Sequence, residues 1–338
     1  MSKLGELSKE ISQKVIVTTL PPDAAGRRAT TKVPLITPEQ TIDDVRQILF
    51  DHAKNFDTIN YIYIVSEKGR LHGVVSIKDI FRNPGETRVK NIEMKKLVKA
   101  HPQTDQEKVA HMALKAGIKA VPLVDENGYF WGVLPSDQIQ QILDSESRED
   151  LLRLSGIIGK PHFEISESSV FDSFTRRIPW IIVGLFGGLI TASAIGNFQS
   201  VLAENLVLAS FIPLIAYIAN AVANQTQTVF IRDLATQVKV DFRNYAIKQI
   251  ITTFFIAIVC WALIFAITGI FWQSFALGGI VGLAMTSAIM TATILGLLIP
   301  QIINHFKLDP AVGGGPFATA IQDFLSVIIY FSIAQALL

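Results

Sequence analysis

Asp323 has the clearest chemical meaning of any residue in this sequence, because it is the only acidic or basic side chain in the last long apolar segment. A carboxylate at membrane depth costs about 3 kcal/mol on insertion scales, so we expect it to face water, a partner or a cation. Gly315 and Pro316 interrupt the helix before it, and Thr319 precedes it by four residues. That spacing places the Thr319 hydroxyl and the carboxylate on one helix face.

The run DPAVGGGPFATAIQD around these residues offers oxygen ligands without nitrogen or sulfur. Backbone carbonyls freed near Gly315 must be buried in protein or line an aqueous cavity if they lie at membrane depth. Carboxylate, hydroxyl and carbonyl oxygens together suit a hard cation such as Mg²⁺. The alternative is a structural aspartate that is paired within a helix bundle.

A second polar cluster lies in PLIAYIANAVANQTQTVFIR. Asn220 and Asn224 are four residues apart and share a helix face, and Gln225 follows directly. Unpartnered amides are costly in lipid, so this segment predicts either hydrogen bonds between helices or a polar lining of the aqueous path that contains Asp323. Pro213 is expected to kink the start of this helix.

The elements that carry these residues are five apolar stretches, each near or above the roughly 20 residues that a membrane-spanning helix needs. Only Gln273 and Ser274 separate the third from the fourth, which predicts a tight hairpin. The predicted helices are Ile178 to about Phe198, Val201 to Ala223 with an extension to Arg232, Ala246 to Trp272, Phe275 to Ile303, and Ala311 to Leu338.

Basic residues near the helix ends predict the orientation of the helices. The segments after the first and third helices and the C-terminal tail carry no Lys or Arg. Six basic residues precede the first helix or lie between the second and third: Arg176, Arg177, Arg232, Lys239, Arg243 and Lys248. Lys307 alone lies between the fourth and fifth. We therefore expect a multi-pass protein of the plasma membrane with its N-terminus in the cytoplasm and its C-terminus outside.

Charge is distributed unevenly along the 338 residues, with most of it in residues 1–177. The net charge of +1 without a basic cluster gives no indication of nucleic-acid binding. The single cysteine, Cys260, lies in an apolar run, which excludes a disulfide framework and a soft-metal site. The start of the chain is polar and lacks the apolar region of a signal peptide, so the charged half is expected in the cytoplasm.

Two stretches of the charged half, about 32–92 and 97–144, resemble each other. Each reads as a short strand, a helix, a strand, a turn, a second strand and a second helix, with the turns at Lys68-Gly69 and Asn127-Gly128. A repeat of this length indicates two copies of one α+β unit.

This alternation, with the run GVVSIKD, resembles a tandem pair of CBS domains. The resemblance implies an adenine nucleotide such as ATP in the cleft between the repeats, held at Gly73, Ser76 and Asp79. The second repeat departs from the motif, because Gly132 is followed by VLPSD, so one site per chain is expected. The alternative role of Ser76 and Asp79 is to cap the following helix.

Glu146, Glu149 and Asp150 lie in LDSESREDLLRLSGIIG, between the two halves. They belong either to a solvated acidic helix or to a linker that senses a divalent cation, which would relieve their mutual repulsion.

The predicted organisation is multidomain, with a cytosolic α+β pair followed by an all-α membrane domain of five helices. Its parts are a polar segment (1–30), the tandem CBS pair (31–144, divided into 31–92 and 93–144), an acidic connecting helix (145–177) and the membrane domain (178–338).

With these parts in order, residues about 32–338 resemble the MgtE family of magnesium channels and transporters. The runs FIPLIAYIANAVANQ, TVFIRDLAT and DPAVGGGPFATAIQD carry the resemblance. It implies a homodimer with a pore along its two-fold axis, lined by the second and fifth helices. Asp323 from each subunit would be the pore carboxylate, and Asn224 and Gln225 would line the pore with it.

The chain departs from the family in two ways. The family commonly has a Gly-Asn-x-Gly-Asn-Gln run, whereas Asn220 to Gln225 here read NAVANQ. The helical domain that usually precedes the CBS pair is expected to be lacking, which reduces the acidic sensing positions. The expected function is passive transport of Mg²⁺ or another divalent cation, with Mg²⁺ as cargo and regulator and the CBS pair controlling gating.

Two other functions stay open. One is an exchanger that couples the divalent cation to Na⁺ or H⁺, although no inverted repeat indicates it. The other is a non-conducting membrane sensor of ions or nucleotide. An enzyme is not expected, because no nucleophile, base or His and Cys cluster accompanies Asp323.

Overall fold

The computed structural model describes residues 20–92, 97–158, 168–236, 240–306, 308–313 and 315–338. The chain divides into two compact units, Met1–Glu146 and Ser147–Leu338. The first combines strands and helices, and the described part of the second is helical. This confirms the predicted fold class of an α+β pair followed by an all-helical part.

The first repeat is a three-stranded sheet with helices after its first and third strands. Strand β1 is parallel to β2, and β2 is antiparallel to β3, with Ile62 opposite Val75. The elements are β1 (Leu35–Ile36), α1 (Ile42–His52), β2 (Tyr61–Val65), β3 (Leu71–Ser76) and α2 (Ile77–Arg82).

Local sequence explains where α1 begins. The Thr41 hydroxyl accepts a hydrogen bond from the Asp44 backbone N–H at 3.3 Å, and the Asp44 carboxylate accepts one from the Thr41 backbone N–H at 2.8 Å. This reciprocal pair satisfies two N–H groups that the first helical turn cannot. Ile42, Val45 and Leu49 recur at helical spacing and are buried in the core of the repeat.

The second repeat keeps the hairpin and both helices. Gly128 lies in the hairpin turn with φ of 82°, as Gly69 does in the first repeat with φ of 81°, a backbone region that favours glycine. The short first strand expected here is reduced to a single parallel bridge between Ala100 and Leu123. The elements are α3 (Gln106–Ala116), β4 (Ala120–Val124), β5 (Phe130–Pro135) and α4 (Ser136–Leu154).

The segment between the halves differs from the single connecting helix expected over 145–177. Helix α4 ends at Leu154, and residues 155–158 are not helical. Gly156 adopts a φ of 70°, which ends the helix in the left-handed region. The next described helix begins at Val170, eight residues before the predicted start of the first membrane helix at Ile178.

Five helices in the described part of the second unit are long and apolar enough to cross a membrane. A 3-10 segment, Leu206–Phe211, precedes the second of them, and a short helix α6 (Gln199–Glu204) precedes that segment. The five are α5 (Val170–Gly196), α7 (Ile212–Thr236), α8 (Phe242–Phe271), α9 (Phe275–His305) and α10 (Pro316–Leu337).

Two prolines lie at helix starts. Pro213 is the second residue of α7, where its missing N–H costs no helical hydrogen bond. The expected kink at the start of this helix is therefore corrected: the irregular backbone is the 3-10 segment Leu206–Phe211 before it. Pro316 begins α10, so the fifth helix starts five residues later than the predicted Ala311, which lies in a 3-10 turn.

Helix α9 is the centre of the membrane part. In the most apolar stretch of α9, 61% of the residues are buried, whereas in the corresponding stretch of α5 only 11% are. Small residues at helical spacing, Ala284, Ala288 and Ala292, are fully buried on it and let neighbouring helices approach closely. Helix α10 packs against α5, α7 and α9, and this arrangement brings the polar residues of α7 and α10 together.

We predict that Tyr63→Phe stabilises the first unit. Tyr63 is fully buried, and its hydroxyl has no hydrogen-bond partner in the described structure. Phenylalanine keeps the ring contact with Phe130, whose centroid is 5.6 Å away, and removes the buried hydroxyl. The expected gain is about 1–2 kcal/mol in the free energy of unfolding, measured by urea unfolding of the detergent-solubilised chain with circular dichroism.

The gain should grow at alkaline pH. Burial raises the pKa of Tyr63 above its ordinary value of 10.0, so above about pH 10 only the unfolded wild type loses this proton. Wild-type stability then falls by up to about 1.4 kcal/mol per pH unit relative to the variant. Tyr129→Phe, at a partly exposed tyrosine, is the matched control and should show neither effect. Equal stability of Tyr63→Phe and wild type at both pH values would contradict the prediction.

Candidate functional site

The centre of the site is a hydrogen bond between two helices. Asn220 on α7 donates from Nδ2 to Oδ1 of Asp323 on α10, at 2.6 Å across a separation of 103 residues. Both side chains are partly buried. Oδ2 of Asp323 accepts no hydrogen bond from any described residue. The carboxylate is therefore held on one side and open on the other.

A cavity of about 430 Å³ begins one helical turn before Asp323. Residues of α7 and of the start of α10 form most of its wall, and the end of α4 closes part of it. Its lining residues are Leu154, Asn224, Gln227, Thr228, Gly315, Pro316 and Thr319. The predicted residues Asn224, Thr319 and Gly315 thus share one cavity, next to the Asn220–Asp323 pair.

Gly315 shapes the narrow side of this cavity. It precedes α10 with φ of 68° and ψ of −149°, a conformation that favours glycine. A Cβ atom at this position would lie 3.2 Å from the carbonyl oxygen of Leu154 and 3.2 Å from the backbone nitrogen of Gly156. The Gly315 carbonyl accepts from the Thr319 hydroxyl at 3.1 Å, which leaves the hydroxyl's lone pairs available to a cation or water.

The polar residues of α7 divide into two groups by exposure. Thr226 and Gln227 are buried within the unit, each with 3% of its surface exposed. Asn224, Gln225 and Thr228 are exposed on the surface of the single chain. Exposed amides on a membrane helix are unfavourable against lipid, so this surface requires water or another protein surface.

A charged group lies where α4 ends. Arg153 forms ion pairs with Glu149, one turn earlier, and with Asp309, in the loop between α9 and α10. Oδ1 of Asp309 also accepts from the backbone N–H of Ala311 at 2.8 Å. These contacts hold the end of α4 beside the cavity that Leu154 lines.

The three acidic residues predicted to sense a cation have different surroundings. Glu146 accepts a hydrogen bond from Gln106 Nε2 at 2.7 Å, and Glu149 pairs with Arg153. Burial raises the pKa of Asp150, an effect that Arg153 opposes and Glu149 adds to. Across the described residues, no group of three or more His, Cys, Asp or Glu side chains is arranged to hold a metal ion. Cation sensing here stays a prediction.

The predicted nucleotide residues lie at the end of β3 and the start of α2. Ser76 caps α2 by accepting from the Asp79 backbone N–H at 3.2 Å, and its hydroxyl donates to Asp79 Oδ2 at 2.6 Å. Gly73 pairs with Ile64 of β2. The capping role foreseen as the alternative is therefore present, and nucleotide binding at these residues stays a prediction.

Sequence reasoning missed several residues of this site. Arg153 and Leu154 gave no signal, because the Arg153–Asp309 ion pair and the cavity that Leu154 shares with Pro316 each join residues more than 150 positions apart in the sequence. Gly156, within the predicted connecting segment, was the one available signal, because an isolated glycine after a helix marks a close approach or a left-handed cap.

Comparison with known proteins identifies both halves. Residues 212–333 match the model of the MgtE family, described as a divalent cation transporter. Residues 26–86 and 89–144 each match the model of the CBS domain. Among solved structures, the cytosolic domain of the Mg²⁺ channel MgtE in complex with ATP is 34% identical, covering 36% of this chain and 50% of that one, with a TM-score of 0.35.

Three relatives match over most of their length, and each is called magnesium transporter MgtE. The protein of Enterococcus faecalis is 33% identical over 93% of this chain and 69% of its own. That of Bacillus subtilis is 32% identical over 97% and 73%, and that of Thermus thermophilus is 30% identical over 94% and 70%. With its CBS pair and its five candidate membrane helices, the chain belongs to the MgtE family of divalent cation transporters.

Proposed function

We propose that this protein carries Mg²⁺, in preference to other divalent cations, across the plasma membrane through a pore between two copies of the chain. The observation that carries the proposal is the polar surface of α7 and α10, where Asp323 and Asn220 are joined at 2.6 Å and Asn224, Gln225 and Thr228 are exposed. The relatives named as magnesium transporters support the choice of ion.

The chemistry of the site fits a cation that keeps its water. Mg²⁺ dehydrates reluctantly and is usually bound through one or two carboxylates and retained waters. One Asp323 from each copy supplies those carboxylates, which repel each other in an empty pore and are relieved by a divalent charge. A monovalent cation offers half that compensation. Thr319 and Asn224 then offer hydroxyl and amide oxygens to the hydration shell in the cavity beside the carboxylate.

A homodimer accounts for the exposed amides of α7. A second copy related by a two-fold axis places the same polar surface opposite itself, so that Asn224 and Gln225 face a water-filled path and not lipid. In this arrangement the N-terminal CBS pair lies in the cytoplasm and the chain ends outside, as the positions of the basic residues predict.

Control of the pore through α4 is the regulatory half of the proposal. Helix α4 begins in the CBS pair and ends at Leu154, which lines the cavity beside Asp323. Arg153 and Asp309 hold that end in place, so a movement of α4 driven from the CBS pair changes access to the cavity. Mg²⁺ at Glu146, Glu149 and Asp150, or ATP near Gly73, Ser76 and Asp79, are the predicted signals.

We expect Asp323→Asn to abolish Mg²⁺ influx into proteoliposomes, with a loss of about 100-fold or more, because the amide keeps the shape but removes the charge that compensates the cation. The assay is run without a Na⁺ or H⁺ gradient. Wild-type influx under these conditions excludes obligatory coupling. Influx only after a gradient is imposed would identify an exchanger, and none under any gradient a sensor.

A matched control for this experiment is Asp241→Asn. Asp241 caps α8 and lies outside the polar surface of α7 and α10. The Asp241→Asn protein should transport Mg²⁺ at close to the wild-type rate. A normally folded Asp323→Asn protein that transports like the control would refute the assigned pore carboxylate.

We further expect Arg153→Gln, Asp309→Asn and the double variant to raise Mg²⁺ influx to the same extent, about two- to tenfold. Each change breaks the same ion pair and releases the end of α4 from the cavity, so the effects should not add. The measurement is the rate of Mg²⁺ influx into proteoliposomes that contain Mg²⁺ inside as well as outside, compared between wild type and the three variants. Arg177→Gln, at an exposed arginine at the start of α5, is the control. Additive effects, or none, would show that the ion pair does not hold the cavity closed.

A further inference from the structure

The Asn220 side chain donates a hydrogen bond to one of the two oxygens of the proposed pore carboxylate, Asp323. Its Nδ2 lies 2.6 Å from Oδ1 of Asp323, a short, charge-assisted hydrogen bond. No other described side chain bonds to Asp323. The donor is held firmly, because Ala219, directly before it, is fully buried in the core of the membrane part, together with Ile215 one turn earlier.

The number of free oxygens on a carboxylate bears differently on the two common divalent cations. Ca²⁺ takes six to eight oxygen ligands and is often coordinated by both oxygens of one carboxylate. Mg²⁺ takes six ligands in near-ideal octahedral geometry, uses one oxygen of a carboxylate and retains several waters. A carboxylate with one oxygen already bonded therefore still serves Mg²⁺, whereas a two-oxygen grip on Ca²⁺ must break the hydrogen bond first.

We propose that Asn220 is a specificity-determining residue, which favours Mg²⁺ over Ca²⁺ by leaving Asp323 with one free oxygen. The inference rests on the proposed function, in which Asp323 binds the transported cation. Asn220 acts through the carboxylate as a positioning residue.

The test is Mg²⁺ influx into proteoliposomes containing the full chain, with Ca²⁺ as a competing ion. Asn220→Leu keeps the branched shape of the side chain without the donor, and Asn220→Ala removes both the branched end and the donor. In both variants the Ca²⁺ concentration that halves Mg²⁺ influx should fall about tenfold, as expected for loss of a hydrogen bond to a charged group. The Mg²⁺ concentration for half-maximal influx should change by less than about threefold.

Two further variants separate the possible explanations. Asn220→Gln retains an amide donor and should keep Ca²⁺ inhibition closer to wild type than Asn220→Leu does. Tyr217→Phe, at an exposed position one turn earlier on α7, should leave it unchanged. A merely structural role of Asn220 would move the half-saturating Mg²⁺ and Ca²⁺ concentrations together.

The outcomes distinguish this inference from the proposed function. Influx that persists in Asp323→Asn refutes the proposed function itself. Influx that depends on Asp323 but shows unchanged Ca²⁺ inhibition in both Asn220→Leu and Asn220→Ala overturns only the role of Asn220. Stronger Ca²⁺ inhibition in Asn220→Ala but not in Asn220→Leu would also overturn the role of Asn220. In that case the space at this position, and not the hydrogen-bond donor, would set the selectivity.

Discussion

The membrane part of this protein is organised around the need to satisfy one carboxylate within an apolar helix. Asp323 cannot be left against lipid, and Asn220 on α7 is the described side chain that meets it. For the two to meet, α7 and α10 must pack closely, and α9 supports both through buried alanines such as Ala284 and Ala288. Tyr330, further along α10, adds a second tie, since its hydroxyl donates to the Leu208 carbonyl at 2.7 Å.

The same packing connects the site with the end of the connecting helix. The left-handed backbone at Gly315 lets the chain before α10 approach Gly156, and Leu154 thereby reaches the cavity that Thr319 lines. The residues proposed to contact a hydrated cation and the residues proposed to control access therefore share one wall. A change in the position of the end of α4 would therefore act directly on the cavity beside the proposed cation site.

Much of this architecture could be predicted from the sequence, because it depends on patterns among residues that are close together in the chain. Runs of apolar residues predicted the five candidate spans, and the repeated turns at Gly69 and Gly128 predicted the paired α+β repeats. The family resemblance is confirmed, and with it the expectation that the chain is a transporter and not an enzyme. The roles of individual site residues, Asp323 included, stay predictions.

What the sequence could not predict depends on distant contacts and on helix ends. The Arg153–Asp309 pair joins residues with no shared pattern, and polar residues of α7 have the same types whether buried, like Gln227, or exposed, like Gln225. The start of α5 at Val170 was hidden because charged residues precede its apolar stretch. Pro316 was placed inside a helix that it in fact begins.

The hydrogen bond between Asn220 and Asp323 also has a consequence for biosynthesis. The ribosome delivers α7 first, and α8 and α9 follow before α10 is complete. In the proposed membrane arrangement, Asn220 therefore enters the bilayer before its acceptor, and Asp323 carries the cost of insertion until it reaches Asn220 in the helices already assembled. The last helix is the least self-sufficient one, so its stable insertion depends on correct assembly of its predecessors. A chain that misassembles earlier would leave Asp323 exposed to lipid, at the energetic cost that a carboxylate carries at membrane depth.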